Sequence, residues 1–362
     1  LHLSLRRQRQ MCIRDSPISW WNKIIRLGHD IKLHPQRYSH ACVGKIMATL
    51  FYEPSTRTQM SFQSAMIRLG GNIIGFDNPS TSSVSKGESL KDTTKIVSSY
   101  SDILIIRHPQ PGAAKAAALT ADCSVVNAGD GGHLHPTQTL TDLLTLHEEK
   151  GRLDNLNVGL CGDLVNGRTV HSLCKALSAY SGNTFVLVST PNLRLPSYVK
   201  DIITASGSRY TEVSSLDEVI NDLDMLYMTR IQRERFASEA EYLAEKDTYV
   251  LDKKKLKKSR RDMIVMHPMP RVDEISVDVD EDERAVYFKQ AKYGMYVRMA
   301  LIMTLLESGS PTNLLKGAVR NGIGCQNPVC ITNSEQYLPK SFYGAGDTLE
   351  CEYCDERILL EH

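Results

Sequence analysis

Short apolar runs alternate with segments of helical periodicity along most of the chain. Runs of four to six mostly apolar residues, typical of strands buried on both faces, occupy 72–76, 102–107, 124–127, 157–161, 184–188, 224–228 and 263–266. Helices are predicted at 56–69, 90–100, 112–119, 136–150, 168–180, 196–205, 238–244, 283–291 and 293–306. This alternation predicts an α/β fold with two doubly wound parallel-sheet domains and a cleft between them.

The predicted helix 56–69 begins with a cluster of polar residues. Three hydroxyl residues and an arginine stand at its start: Ser55, Thr56, Arg57 and Thr58. Ser55 is the candidate N-cap, and an ordinary capped helix is the simplest interpretation. A cation in the first turn is unfavourable in the field of the helix dipole unless an anion binds there. Arg57, together with the hydroxyls and the exposed N–H groups, therefore predicts a phosphate site.

Further cationic and polar residues follow predicted strands or precede predicted helices. They are Lys86, Arg107, His135, Gln138, Arg168, Arg230, Gln232 and the Met269–Pro270 step. Each has an ordinary explanation as a capping or surface residue when it is considered alone. Together they predict that a dianion and a second, carboxylate-rich substrate bind at the carboxyl ends of the strands.

The same loops limit the chemistry that is expected. No Ser/His or Cys/His nucleophile pair is evident in the sequence, and no Asp-rich magnesium site is evident either. The loop at 162–169 lacks the full glycine fingerprint of a dinucleotide site, so we predict no organic cofactor. These features favour direct transfer of a group between two bound substrates.

The composition limits the classes of function. The 43 Lys and Arg residues nearly balance the 42 Asp and Glu residues, so nothing indicates a nucleic-acid or membrane partner. No apolar run approaches the roughly 18 residues of a membrane-spanning helix, and no signal-peptide pattern is found, which predicts a cytoplasmic protein. Residues 1–16 resemble the translation of a sequencing adapter. We expect them to be foreign to the fold and to make few packed contacts.

Four of the nine cysteines lie near the end of the chain, as Cys325, Cys330, Cys351 and Cys354. Two cysteine pairs at this spacing predict a tetrahedral structural zinc site. A disulfide framework is the weaker alternative in a cytoplasmic chain. A linker at 308–324, rich in Gly, Ser, Pro and Asn, is predicted to separate this zinc-binding domain, 325–362, from the rest of the chain. We expect the domain to be a small, zinc-ribbon-like β domain.

From about Trp20 to Leu306, the chain resembles the catalytic chain of aspartate carbamoyltransferase. The resemblance rests on ordered motifs at 51–58, 86–88, 107–109, 135–138, 162–169, 229–232 and 267–271. It implies a carbamoyl phosphate-binding domain at 17–136, completed by a helix at 292–307, and an aspartate-binding domain at 137–291. The implied reaction converts carbamoyl phosphate and L-aspartate to N-carbamoyl-L-aspartate and phosphate, a step of pyrimidine biosynthesis.

The resemblance also implies a role for each motif residue. The phosphate would be bound by Ser55, Thr56, Arg57 and Thr58, and the carbamoyl carbonyl would be polarised by Thr58, Arg107 and His135. The carbamoyl amide would be bound by Gln138 and the carbonyls near Met269 and Pro270. The aspartate carboxylates would be bound by Arg168, Arg230 and Gln232. A neighbouring subunit of a homotrimer, or of a larger assembly, would supply Ser82 and Lys86, and this Lys86 would also bind aspartate. Glu53 would pair with Arg168 and Arg235 on closure.

Two alternatives remain open from the sequence. Ornithine carbamoyltransferase shares the phosphate motif, but Arg168 and Arg230 suit carboxylates better than the ammonium group of ornithine, which favours aspartate. A catalytically inactive scaffold or regulatory fusion is the other alternative.

The cysteine-rich segment resembles the zinc-binding domain of the regulatory chain of the same enzyme. That resemblance leads us to expect a module that stabilises subunit contacts and carries no nucleotide site.

Overall fold

The computed structural model describes residues 17–233, 236–245, 248–308, 315–344 and 348–359. The described residues form two compact units. The first unit comprises the described residues up to Thr137 and those from Met295 onward, and the second comprises Gln138–Gly294. The predicted foreign segment 1–16 lies outside the described residues. None of the described helices is both long enough and apolar enough to cross a bilayer.

The first unit contains a parallel sheet of four strands in the order β2-β1-β3-β4. The strands are β1 (Ile46–Phe51), β2 (Asn72–Phe76), β3 (Ile103–His108) and β4 (Ser124–Asp130). The helices along this part of the chain are α1 (Ile18–Leu33), α2 (Thr56–Arg68), α3 (Leu90–Tyr100) and α4 (Ala113–Thr120). Every residue of β4 is buried, as expected for a strand of a covered parallel sheet.

The second unit contains a parallel sheet of five strands in the order β7-β6-β5-β8-β9. Its strands are β5 (Asn157–Cys161), β6 (Thr184–Val188), β7 (Arg209–Val213), β8 (Met225–Met228) and β9 (Ile264–Met266). Its helices are α6 (Arg168–Leu177), α7 (Ser197–Ala205), α8 (Glu239–Glu245) and the short α9 (Lys253–Leu256). The chain passes between the units within α5 (Pro136–Lys150) and α10 (Tyr287–Glu307).

The C-terminal module, residues 315–359, belongs to the first unit. It contains an antiparallel sheet in the order β10-β11-β12-β13, formed by β10 (Ala318–Val319), β11 (Ser341–Tyr343), β12 (Thr348–Cys351) and β13 (Arg357–Leu359), and a short helix, α11 (Ile331–Ser334). Its buried residues share one hydrophobic cluster with the alanines of α4. The small alanine side chains allow the module and the sheet to approach this helix closely from its different sides.

The α/β fold class is confirmed, although several elements differ from the prediction. The strands β1 and β7 and the helix α1 were not predicted. The two helices predicted at 283–291 and 293–306 are one helix, α10, which begins only at Tyr287. The residues before it form a turn and an isolated bridge to β9 instead: the Val265 N–H donates to the Arg284 carbonyl at 2.7 Å, and the Val286 N–H donates to the Val265 carbonyl at 3.0 Å.

Candidate active site and metal centre

Two strand ends bring the candidate phosphate-binding residues of the first unit together. In the β1–β3 ladder, Phe51 lies opposite Arg107, so the loop from β1 into α2 begins beside the Arg107 side chain. Ser55 is the residue before the first helical residue, but its side chain makes no capping hydrogen bond. Thr58 is buried, whereas Thr56 and Arg57 are exposed. The first turn of α2 therefore keeps its hydroxyl groups available to a ligand.

The electrostatics of this loop indicate an anion site. Although Arg57 is exposed as a whole residue, neighbouring protein atoms partly bury its guanidinium and lower its pKa, and the positive charge of Arg107 lowers it further. Among the described residues, the Arg57 guanidinium forms no ion pair and no hydrogen bond. Two guanidinium groups within each other's field, at the positive end of a helix dipole, repel one another until an anion binds.

Arg107 is held in a defined orientation. Its Nη2 donates to Glu53 Oε1 at 2.6 Å, and its Nη1 donates to the Ala128 carbonyl at 3.3 Å. Its Nε is buried without a hydrogen-bond partner. The side chain passes over Gly129, where an added Cβ would lie 2.7 Å from Nη1. A glycine is needed at this position both for that space and for its φ of +126°.

His135 lies directly before α5 and is 8% exposed. Its Nδ1 is 3.4 Å from Thr137 Oγ1. Arg298 of α10 donates to Thr137 Oγ1 at 3.4 Å and to Ser61 Oγ at 3.0 Å. Arg298 therefore joins the start of α5 to α2, and the sequence analysis missed it because its partners are more than 150 positions away in the chain.

Asp130, at the end of β4, organises the loop that leads to His135. One of its carboxylate oxygens accepts from the Leu134 N–H at 3.0 Å, and the other accepts from the Gly112 N–H at 2.8 Å. His133 Nδ1 lies 2.9 Å from the second oxygen. Asp130 is only 2% exposed. The sequence analysis also missed this residue, although its position at a strand end, within Gly129–Gly132, was a usable signal.

In the second unit, two neighbouring strand ends bring the candidate aspartate-binding residues together. Cys161, the last residue of β5, pairs with Met228, the last residue of β8. Arg168 is the first residue of α6 in the loop after β5, and Arg230 follows β8. Gln232 donates through Nε2 to the Asn166 carbonyl at 3.2 Å. Gln232 thus holds the two loops together.

Gln138 and the Met269–Pro270 loop belong to one hydrogen-bond network of the second unit. Gln138 Nε2 and Gln290 Nε2 both donate to Asp142 Oδ1 at 2.7 Å. Gln290 in turn accepts from the His267 N–H at 2.9 Å. His267 Nδ1 accepts from the Met269 N–H at 2.8 Å. Asp142, which is fully buried, was not among the predicted site residues, although it lies four positions after Gln138 on the predicted helix.

Ser82 and Lys86 lie in the polar loop between β2 and α3. Ser82 is half-buried, and its hydroxyl donates to the Pro79 carbonyl at 2.8 Å. Lys86 is exposed, and its ammonium group forms no ion pair within the described part of the chain. Among the described residues, neither side chain forms a hydrogen bond or an ion pair with Ser55, Thr56, Arg57 or Thr58.

The four C-terminal cysteines form a single buried cluster. Their sulfur atoms all lie within 4.8 Å of one another, with 3.4 Å between Cys325 and Cys354 and 4.0 Å between Cys330 and Cys351. A tetrahedron of sulfurs about 2.3 Å from a zinc ion has edges of about 3.8 Å. The donor set and its spacing therefore fit a closed, structural metal site.

Models of known families match three successive parts of the chain. The carbamoyl-P binding domain of aspartate/ornithine carbamoyltransferase matches residues 10–148, and the Asp/Orn binding domain matches residues 154–305. The metal binding domain of the aspartate carbamoyltransferase regulatory chain matches residues 317–361. The resemblance to a catalytic chain joined to a regulatory-type metal domain is confirmed.

Individual relatives agree. The aspartate carbamoyltransferase catalytic subunit of Clostridium perfringens is 58% identical over 293 residues, or 81% of this chain and 95% of that protein. The catalytic subunit of aspartate transcarbamoylase from M. jannaschii gives a TM-score of 0.79 at 43% identity and covers 83% of this chain and 98% of that chain.

A second solved structure extends the comparison to a complex. The aspartate transcarbamoylase of Trypanosoma cruzi, in complex with N-(phosphonacetyl)-L-aspartic acid, gives a TM-score of 0.77 at 38% identity and covers 83% of this chain and 97% of that chain. Identity and coverage of this extent, joined to the arrangement of the strand-end residues, decide the family. The chain belongs to the aspartate carbamoyltransferase catalytic-subunit family.

Proposed function

We propose that this chain is a carbamoyltransferase that transfers the carbamoyl group of carbamoyl phosphate to the amine of L-aspartate. The observation that carries the proposal is the repulsion between Arg57, at the start of α2, and Arg107, near the end of β3. The pKa of Arg57 is lowered, and its guanidinium has no anionic partner among the described residues. A phosphate dianion relieves this repulsion and accepts hydrogen bonds from the N–H groups of the first turn. The products are N-carbamoyl-L-aspartate and phosphate. The reaction is a step of pyrimidine biosynthesis.

The first unit binds the phosphate and polarises the carbamoyl carbonyl. In the proposal, Ser55, Thr56, Arg57 and Thr58 bind the phosphate oxygens. Thr58, Arg107 and His135 donate to the carbonyl oxygen, where negative charge develops as the amine attacks. The low exposure of these three side chains supports that role, because hydrogen bonds are stronger where water is excluded. The departing phosphate accepts the proton of the amine.

The second unit binds the amide of the carbamoyl group and the acceptor substrate. Gln138 and the carbonyls near Met269 and Pro270 are proposed to accept hydrogen bonds from the NH2 group of the carbamoyl moiety. The network through Asp142 supports this because it orients both Gln138 and the loop after β9. Arg168, Arg230 and Gln232 are proposed to bind the two carboxylates of aspartate, and the contact of Gln232 with the Arg168 loop supports a joint role.

We propose that the active form is a homotrimer in which Ser82 and Lys86 reach the site of a neighbouring subunit. Lys86 is exposed, and its ammonium group forms no ion pair or hydrogen bond with the described residues of its own chain. Met60 and Ile67 of α2 are each 63% exposed. Val43, which precedes β1, is 62% exposed. A face with this much apolar surface is typical of a subunit interface. The proposal also allows such trimers to associate into a larger assembly.

We propose zinc as the metal of the C-terminal cluster. Four thiolates in a tetrahedral arrangement suit zinc, and a closed set of four protein ligands leaves no position for a catalytic water. The metal would hold the module together and would take no part in the transfer reaction. We also propose that the protein acts in the cytoplasm, where thiolates remain reduced.

One assay tests the function. Purified protein is expected to release phosphate from carbamoyl phosphate when aspartate is present. Turnover with ornithine in place of aspartate would reverse the choice of acceptor. Absence of turnover with either acceptor, in a preparation shown to be folded and oligomeric, would favour the inactive-scaffold alternative.

A further inference from the structure

The C-terminal module docks on the loops that carry candidate site residues of the first unit. Its contacts include Ile331 N–H to the Pro111 carbonyl at 3.0 Å, Glu335 Oε1 to the Leu90 N–H at 3.0 Å, and Lys115 Nζ to Glu352 at 2.6 Å. Pro111 lies in the loop after Arg107, and Leu90 begins the helix that follows the Lys86 loop. The module is therefore placed where its docking bears on the geometry of the site.

One contact reaches the loop that leads to His135. The ring of His133 lies between two carboxylates, with Nδ1 2.9 Å from Asp130 and Nε2 3.3 Å from Asp355 of the module. The His133 side chain is 13% exposed, so water screens these ion pairs weakly. Despite burial, the two carboxylates raise the pKa of His133 to about 10. The ring is thus a cation that joins the module to the β4 loop.

Asp130 links His133 to the backbone of two loops. The carboxylate that contacts His133 also accepts from the N–H groups of Leu134 and Gly112. Leu134 directly precedes His135, and Gly112 begins the segment after Pro111. The position of the His135 backbone and that of the loop after Arg107 therefore depend on a carboxylate whose cationic partner is shared with the module.

We propose that Asp355 is a positioning residue for the transfer reaction, which acts through His133 and Asp130 on the placement of His135. The docked module thereby completes the half-site that binds the carbamoyl group, in addition to any role in assembly. This inference rests on the proposed function. The φ of Asp355 is 61°, in the left-handed region that most side chains avoid but that Asp and Asn tolerate. Asn tolerates that region as well as Asp does, so Asp355→Asn removes the charge without new backbone strain.

The test compares Asp355→Asn with wild type and with Lys115→Met, all as full-length protein loaded with metal. Lys115→Met removes another ion pair of the same docking surface, while Glu352 keeps its hydrogen bonds from the Lys316 and Gly317 N–H groups. For Asp355→Asn we expect the KM for carbamoyl phosphate to rise about tenfold, as small displacements of a substrate-binding group do. We expect the KM for aspartate and the metal content to stay within twofold of wild type. A loss of folded protein lowers apparent kcat but does not move one KM alone.

A double variant tests whether the effect passes through His133. If it does, His133→Asn combined with Asp355→Asn should be no worse than the more impaired single variant. An unchanged KM in Asp355→Asn, an equal change in Lys115→Met, or fully additive effects in the double variant would each overturn the inference. Failure of the proposed function is distinguishable, because the wild-type protein would then fail to convert carbamoyl phosphate and aspartate.

Discussion

Arg107 donates to Glu53 at 2.6 Å, whereas Arg57, whose pKa is lowered by partial burial and by the charge of Arg107, has no such partner among the described residues. Glu53 therefore holds one guanidinium in place before substrate binds and leaves the other available. The sequence analysis expected Glu53 to pair with arginines of the other domain. Of those, Arg235 lies outside the described residues, and the pair with Arg107 was not predicted.

Replacement of Arg57 should impair phosphate binding without a loss of fold stability. Because Arg57 is exposed and its guanidinium forms no ion pair or hydrogen bond among the described residues, we expect Arg57→Ala to leave the melting temperature within about 2 °C of wild type. We expect kcat/KM for carbamoyl phosphate to fall by about 10³, as for loss of a group that stabilises transition-state charge. Initial rates at several carbamoyl phosphate concentrations measure this effect.

Arg57→Lys tests whether the planar geometry of the guanidinium, and not only its charge, is needed to bind the phosphate. It keeps the charge but loses the planar pair of donors, so we expect it to recover only part of the lost activity. Wild-type activity in Arg57→Ala would contradict the assignment of Arg57 to the phosphate site.

Gly129→Ala should disturb the orientation of Arg107. The new Cβ would lie 2.7 Å from Arg107 Nη1, and the φ of +126° is unfavourable for alanine. The guanidinium can move more easily than the buried β4 backbone, so we expect the ion pair with Glu53 to lengthen and the KM for carbamoyl phosphate to rise about tenfold. Steady-state kinetics and the melting temperature together measure the two effects.

Gly44→Ala is the control for backbone strain in the same unit. Gly44 also has a positive φ, +77°, but an added Cβ there meets nothing within 4 Å. We expect a loss of stability of about 1 kcal/mol and unchanged kinetics. If both alanine variants changed the KM equally, strain and not contact with Arg107 would explain the result.

The candidate site was predictable where its signals were local. Arg57 and Arg168 stand out because a cation in the first turn of a helix is unusual, and Arg107 stands out because it ends a predicted strand. Asp142, Arg298 and Asp130 act through partners that the fold brings together. The Asp142–Gln290 contact spans 148 positions, which no local pattern reveals.

The fold shows the same division. Most strands were predicted because they are continuous apolar runs, whereas β7 (Arg209–Val213) was missed because none of its residues is fully buried. The start of α10 was placed too early because 283–286 has helical periodicity. Its backbone instead bonds to β9, which is a tertiary effect.

Asp142→Ala should destabilise the second unit. The change removes the acceptor for the side-chain amides of Gln138 and Gln290 and for the Tyr227 hydroxyl, all within 3.0 Å. Buried donors left without partners cost about 1–3 kcal/mol each, so we expect a loss of at least about 2 kcal/mol. The shift of the urea midpoint measures it, and Asp142→Asn, which keeps one carbonyl acceptor, should lose less. An unchanged midpoint in Asp142→Ala would contradict the role of the network.

Acid should destabilise the first unit through His108. Burial lowers the pKa of His108 to about 4, although Asp130 opposes this effect. The folded state therefore binds a proton less readily than the unfolded state, in which the pKa is about 6.5. This contribution to stability is complete above about pH 6.5 and is lost as the pH falls towards 4, with a slope of up to about 1.4 kcal/mol per pH unit. Urea unfolding between pH 7 and 4.5 should show this slope, and His108→Asn should reduce it.

Alkali should destabilise the same unit through His133, in the opposite direction. Its pKa in the folded state is about 10, above the unfolded value, so its contribution to stability is complete below about pH 6.5. The contribution is lost as the pH rises through 10, because the neutral ring no longer attracts Asp130 and Asp355. We expect the melting temperature of wild type to fall between pH 7 and 10 and that of His133→Asn to fall less. Equal slopes in the two proteins would show that His133 is not a cation in the folded state.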